Sequence, residues 1–260
     1  MEDKIRLGGM ALRNGVLVHG PTSWACAVRL PDGSLKVAAD RKRVLAGGIK
    51  SPLLRGPARL AEAVAVIPAV KRRLPEAKLP FEQPRILGAM AVSAVAVRAV
   101  RGSRLRPAAQ ELTAGLLALA PALLSLQGND LAAYHGAEHI SIGSYEHDEP
   151  RAREHERCGS HLIGPLLLTT TAANVVAAAV PLRFRRPART LASLGGIAAA
   201  TELFGWMVRN PEKKLARALA KPGHELQHRY ATKEPSPEQV EVANAALRAC
   251  LELEHAGAAA

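Results

Sequence analysis

Residues 162–182 read LIGPLLLTTTAANVVAAAVPL, 21 residues without a charge. At about 1.5 Å of rise per helical residue the stretch reaches roughly 30 Å, the thickness of a bilayer's hydrocarbon core. Its neighbours have the same texture. Residues 86–97 and 112–126 are uncharged, and residues 190–208 carry one carboxylate, Glu202. Residues 86–97 are short for a span, and residues 112–126 reach spanning length only with Glu111 at the end. Arg98, Arg101, Arg104 and Arg106 separate the first two stretches; Arg183, Arg185, Arg186 and Arg189 lie between the last two.

A mean hydropathy of +0.01 and an aromatic content of 3% would suit a soluble, Ala-rich bundle. Four apolar stretches joined by short arginine-rich connectors outweigh them and predict a membrane-embedded helical region. The expected location is the cell membrane. The first twenty residues lack a continuous apolar run and contain Arg6, Arg13 and His19, so a cytoplasmic N-terminus is expected. The positive-inside rule draws both arginine-rich connectors to the cytoplasm, whereas four full spans would put both outside. A re-entrant 86–97 segment is one resolution.

Toward the N-terminus the period changes. Ser23–Leu30, the turn Pro31-Asp32-Gly33 and Ser34–Ala39 predict a hairpin, and residues 8–19 a strand before it. Residues 54–73 have helical spacing interrupted at Pro68, and Pro75, Pro80 and Pro84 mark a linker. Past residue 210 the chain is polar. A helix over Pro237–Leu253 is expected, capped by Ser236, with Val240, Ala243, Leu247 and Leu251 as its apolar stripe. The fold class is thus mainly α: a membrane-associated helical bundle with a small N-terminal antiparallel β unit. The expected divisions are 1–50 (β-rich), 51–84 (helix and Pro-rich linker), 85–209 (apolar, with a polar loop at 127–161) and 210–260 (polar tail with an amphipathic helix).

The formal charge is +12, and the pI of about 10.2 points to an anionic partner. Membrane lipids are expected, with an unidentified protein or lipid-linked substrate. Nucleic acid is not, because stacking aromatics are scarce and no nucleic-acid-binding signature occurs. Cys26, Cys158 and Cys250 are far apart and odd in number, which speaks against a disulfide framework. Neither a phosphate-binding glycine loop nor a Gly-x-Ser-x-Gly elbow is present.

The chemistry concentrates in Tyr134-His135-Gly136-Ala137-Glu138-His139. On a helix that Asn129 or Asp130 would cap, running over Leu131–Ser141, His135, Glu138 and His139 share one face. Two imidazoles one turn apart suit a divalent metal, and the carboxylate between them suits a general base. H-x-x-E-H is the inverted zinc-hydrolase spacing. Gly136 would allow another backbone to approach. His155, Cys158 and His161 offer further ligands of zinc-like character. Glu202, a carboxylate in an apolar stretch, is a candidate third ligand or a helix-end residue paired with Arg209. His224-Glu225-Leu226-Gln227-His228 spells the forward H-E-x-x-H signature, but Pro222 and Gly223 leave little helix before it.

The stretch 133–139, Ser144-Tyr145-Glu146 and His155-Glu156-Arg157-Cys158-Gly159-Ser160 together resemble the core of the YqhQ-like family of bacterial membrane proteins (domain of unknown function 1385). Gly8-Gly9 to Gly15, Leu54-Arg55-Gly56, Pro222-Gly223, Leu226-Gln227 and Lys233-Glu234-Pro235 with residues 239–243 resemble its other motifs. The chain departs from the pattern at Asn14, Ile140, Glu156 and Ser160. The resemblance implies several membrane helices, an N-terminal soluble unit and a predicted metal-dependent enzyme. His135, Glu138, His139, His155 and Cys158 match its motif, and Thr201-Glu202 stands where the family has Tyr-Glu.

The functional expectation is a membrane-embedded hydrolase. Glu138 is catalytic; His135, His139, His155, Cys158 and Glu202 are candidate ligands of a divalent metal, zinc by ligand type. The alternative is a non-catalytic scaffold or regulator with a closed His/Cys site.

Overall fold

The computed structural model describes residues 4–44, 47–128 and 130–258. The chain begins with an antiparallel meander, β1 (Gly8–Leu12), β2 (Gly15–His19), β3 (Ser23–Arg29) and β4 (Leu35–Arg41), in that spatial order. The hairpin at 31–33 forms as expected: Gly33 adopts φ +84°, and Asp32 accepts the Ser34 N–H at 2.9 Å. The single strand expected over 8–19 is instead two. Leu12 pairs with Gly15 across a tight turn, and Asn14 is bonded to the Glu76 carbonyl and the Lys78 N–H.

Alternation decides what covers each face. Leu12, Leu17, Trp24, Cys26 and Val28 pack on Val66, Val70, Leu74 and Leu79. These come from α2 (Ile67–Arg73) and from the segments that follow α1 (Pro52–Ala65) and α2. The opposite face, Ala11, Val16, Val18, Ala25 and Ala27, has small side chains and admits two helices, α5 (Leu131–His147) and α9 (Pro237–Ala258). In α9, Val242, Ala246 and Cys250 join Ala243 and Leu247 in the core, a wider stripe than expected because α9 meets both the sheet and α5. Ser236 and Gln239 cap it reciprocally. All three cysteines are free.

The apolar region is two antiparallel hairpins. The first is α3 (Pro84–Gly102) with α4 (Pro107–Ser125), the second α6 (Ile163–Ala178) with α7 (Arg185–Arg209); they pack through α4 and α6. Among the described residues, three stretches are long and apolar enough to cross a membrane: Pro107–Ser125, Gly159–Ala178 and Leu182–Arg209, of which 28%, 28% and 22% is buried inside the protein. So little internal burial leaves Leu116, Leu168, Val176, Leu191 and Leu194 exposed, as lipid-facing side chains would be. The expected fold class is what the chain adopts. α3 is helical for 19 residues but is not among the three.

α8 (Lys214–Leu226) follows α7 and continues into a π-helical turn at Gln227–Ala231. α1 bridges the two regions. Its Glu62 pairs with Lys42 at 2.6 Å, and its Arg55 reaches α7.

Candidate metal centre

α5 runs past the expected Ser141 to His147 and ends at Asp148 with φ +55°. Asp130 sits at its start without a side-chain capping bond, and Asn129 lies outside the described residues. One face of α5 lies near the sheet and presents His135, Glu138 and His139 to a cavity of about 460 Å³, walled in part by Gly8–Ala11 of β1.

Two backbone carbonyls orient the imidazoles. His135 Nδ1 donates to Ala231 O at 2.8 Å, and His139 Nδ1 to Arg153 O at 2.6 Å. A carbonyl only accepts, so each Nδ1 carries a proton, and in the neutral ring the lone pair then lies on Nε2. Cys158 Sγ stands 3.5 Å from His135 Nε2. The ligand atoms of His135, His139 and Cys158 all lie within 4.8 Å of one another. Burial, with the nearby His135, drives the His139 pKa down to about 2, so its imidazole is neutral, the form that binds metal.

Glu138 is the polar neighbour of this group. Its Oε2 is 3.9 Å from His135 Nε2 and 3.7 Å from His139 Nε2. Burial lifts its carboxyl to about 7, with neighbouring His135 working against the lift. A carboxyl poised there can take up or release a proton near neutrality. β1 packs directly on it: a Cβ at Gly9 would fall 2.2 Å from Glu138 Oε1.

The other candidates are placed differently. His155 lines the same cavity, its ring centroid 5.5 Å from that of His139, with Nε2 bonded to Glu146 at 3.1 Å. Arg157 pairs with the same carboxylate. His161 donates Nδ1–H to Glu156 O at 2.9 Å. Glu202 is outside the cluster: its oxygens accept from Arg55 Nε at 2.8 Å and from Arg55 Nη2 at 2.5 Å. A Cβ on Gly56 would fall 2.0 Å from Thr201 Oγ1. The Leu-Arg-Gly and Thr-Glu motifs are therefore each other's partners, pinning α1 to α7. The expectation of little helix before His224 is corrected, because α8 continues through Pro222 to Leu226. His228 nonetheless pairs with Glu154 at 3.1 Å rather than joining the cluster.

Three contributors had no role assigned from sequence. Gln227, fully buried, accepts the His155 N–H at 2.9 Å and donates to Ser160 Oγ at 2.7 Å, clamping the loop on both sides of Cys158. It stands in the Leu226-Gln227 motif, a signal that marked the position without its task. The Ala231 and Arg153 carbonyls orient the imidazoles but are backbone groups, which any residue supplies. The closeness expected of Gly136 is present: a Cβ there would lie 2.3 Å from Lys233 O, where Lys233 N–H donates to Ala132 O.

Three apolar helices and a His/His/Cys group are compatible with a membrane protein carrying a metal site. No curated protein and no solved structure matches the chain. Residues 128–253, from just before α5 into α9, match the model of a family described as Protein of unknown function (DUF1385), a domain that fits the YqhQ-like name.

Proposed function

We propose that the chain is a membrane-embedded, metal-dependent hydrolase. One observation carries this reading: two imidazoles with protonated, carbonyl-bound Nδ1 atoms and a cysteine sulfur converge beside a buried carboxyl at the wall of a cavity. His135, His139 and Cys158 would hold the cation, and two nitrogens with one sulfur suit zinc. Such an ion supplies Lewis acidity and makes water a stronger acid. Glu138 accepts the proton of the attacking water and returns it to the leaving group. Gly9 and the rest of β1 shape the site opposite α5, and the loop held by Gln227 keeps Cys158 in place. The substrate is a lipid-linked molecule or a peptide presented at the membrane surface.

The neighbouring His155 favours a second reading, in which it completes a closed structural site on a scaffold protein. Metal analysis of the detergent-purified chain separates the two. Hydrolysis predicts about one zinc per chain, lost in His139→Ala and kept in Glu138→Gln, with turnover of a peptide or lipid-linked substrate falling about 10²–10⁴-fold in Glu138→Gln. Metal-free wild-type protein, or full activity in Glu138→Gln, overturns the catalytic reading. A scaffold predicts that chelation exposes residues 148–158 to protease.

We also propose that the N-terminal unit and the metal centre lie on the cytoplasmic side, which puts the two arginine-rich connectors at the other face, against the positive-inside rule. α8 follows the third apolar helix and carries Lys214, Arg217 and Lys221 beside exposed Leu215, a composition that lies on an anionic leaflet. A fluorescent reporter fused at the N-terminus should mature inside the cell.

A further inference from the structure

Near the tips of the two helical hairpins, which lie at 103–106 and 179–184, arginines of α3 and α7 line one cavity. α3 begins beside the end of α4, where Arg85 donates to the Gln127 carbonyl, so α3 runs from the metal-centre side to the tip and α4 runs back. Nineteen residues of helix put about 28 Å between the two ends. There Arg98 and Arg101 of α3 face Arg186 and Arg189 of α7 across one open cavity of about 820 Å³, floored by Ala94, Val95 and Val97.

Four guanidinium groups in one cavity repel one another unless anions answer them. Glu111 answers one, accepting from Arg101 Nη2 at 2.7 Å. Arg98, Arg186 and Arg189 have no carboxylate partner among the described residues. The Nε of Arg189 is shielded from water and has no hydrogen-bond partner. The four arginines line a cavity whose floor is apolar, and Val92 and Val95 of α3 are exposed. Guanidinium forks match phosphate oxygens, and the apolar floor suits the glycerol and upper acyl chain attached to a phosphate.

We propose that this cleft binds the phosphate of an anionic phospholipid. The inference does not rest on the metal reading, since cleft and metal centre lie at opposite ends of the helices.

The test uses the full chain in phosphatidylcholine nanodiscs, with trace spin-labelled phosphatidylglycerol or phosphatidylcholine as probe. The wild type should hold phosphatidylglycerol several-fold more strongly than phosphatidylcholine. Combined Arg98→Gln, Arg186→Gln and Arg189→Gln should bring that ratio to about one. Arg248→Gln, on α9, should leave it unchanged. Should the triple variant not fold, Arg98→Gln with Arg186→Gln, both at exposed positions, should lower the ratio by itself. A wild-type ratio of one, or an undiminished ratio in a folded variant, overturns the proposal. Millimolar inorganic phosphate separates the sources. Persistence of the lipid preference in its presence supports a lipid site, and abolition of it assigns the cleft to free phosphate and overturns the lipid proposal.

Discussion

The carbonyl of Ala231 accepts a hydrogen bond from His135 Nδ1 at 2.8 Å, joining groups 96 residues apart. A backbone atom at the end of a π-helical turn thereby sets the tautomer of a candidate metal ligand. The segment that provides it reaches α5 because position 136 has no side chain.

Gly136→Ala tests that dependence. Alanine at a helical glycine ordinarily stabilises by about 1 kcal/mol. Here the new methyl meets Lys233 O, so we expect a loss of about 1–3 kcal/mol, with metal affinity falling about 10–100-fold as Ala231 is displaced. Thermal unfolding and zinc titration of the purified protein check both. A stabilised variant with normal zinc affinity would show that the approach is not needed.

Gln227→Ala removes the clamp on the Cys158 loop. The His155 N–H and the Ser160 hydroxyl lose their partner, at about 1–3 kcal/mol for each group left unsatisfied. The midpoint of thermal unfolding should drop by about 2–4 °C per kcal/mol. Zinc affinity should fall while membrane insertion is unchanged. Hydrogen exchange confined to residues 154–161 would locate the effect; unaltered exchange there would refute it.

Glu254 fastens α9 to the sheet. Its carboxylate accepts from the Thr22 N–H at 2.8 Å, the Ser23 N–H at 2.7 Å and both hydroxyls. Burial pushes its pKa up, but the bonds from Ser23 and Thr22 prevail and the folded value lies below the usual one. A depressed carboxylate stabilises the fold fully above its unfolded pKa of about 4.3, and the contribution disappears as the pH falls from there through the folded value. Glu254→Gln should therefore cost about 1.5–3 kcal/mol at pH 7. The gap from wild type should close in acid below about pH 4. Denaturation midpoints at pH 7 and in acid measure this, and a gap independent of pH would contradict it.

Much of the architecture was legible from local pattern. The alternation of Trp24, Cys26 and Val28 with Ala25 and Ala27 marked a two-faced strand. The uncharged run at 162–182 became α6 with the turns on either side of it. The Pro237 helix began where Ser236 predicted. The doubled strand over 8–19 was missed because the bonds from Asn14 to Glu76 and Lys78, more than sixty residues away, leave no local trace. Glu202 stood out correctly as a carboxylate in an apolar stretch, but its partner Arg55 is 147 residues distant.

The sequence alone determined that His135, Glu138 and His139 share a face, because helical period is a property of neighbouring residues. It also marked four apolar stretches, of which three form helices long and apolar enough to cross a membrane. Only the tertiary structure decided that Cys158 joins the imidazoles while Glu202 goes to α1, and that the Ala231 and Arg153 carbonyls choose the tautomers. Long-range pairing depends on how elements pack, and a carbonyl oxygen is the same in every residue, so neither is written in side-chain identity.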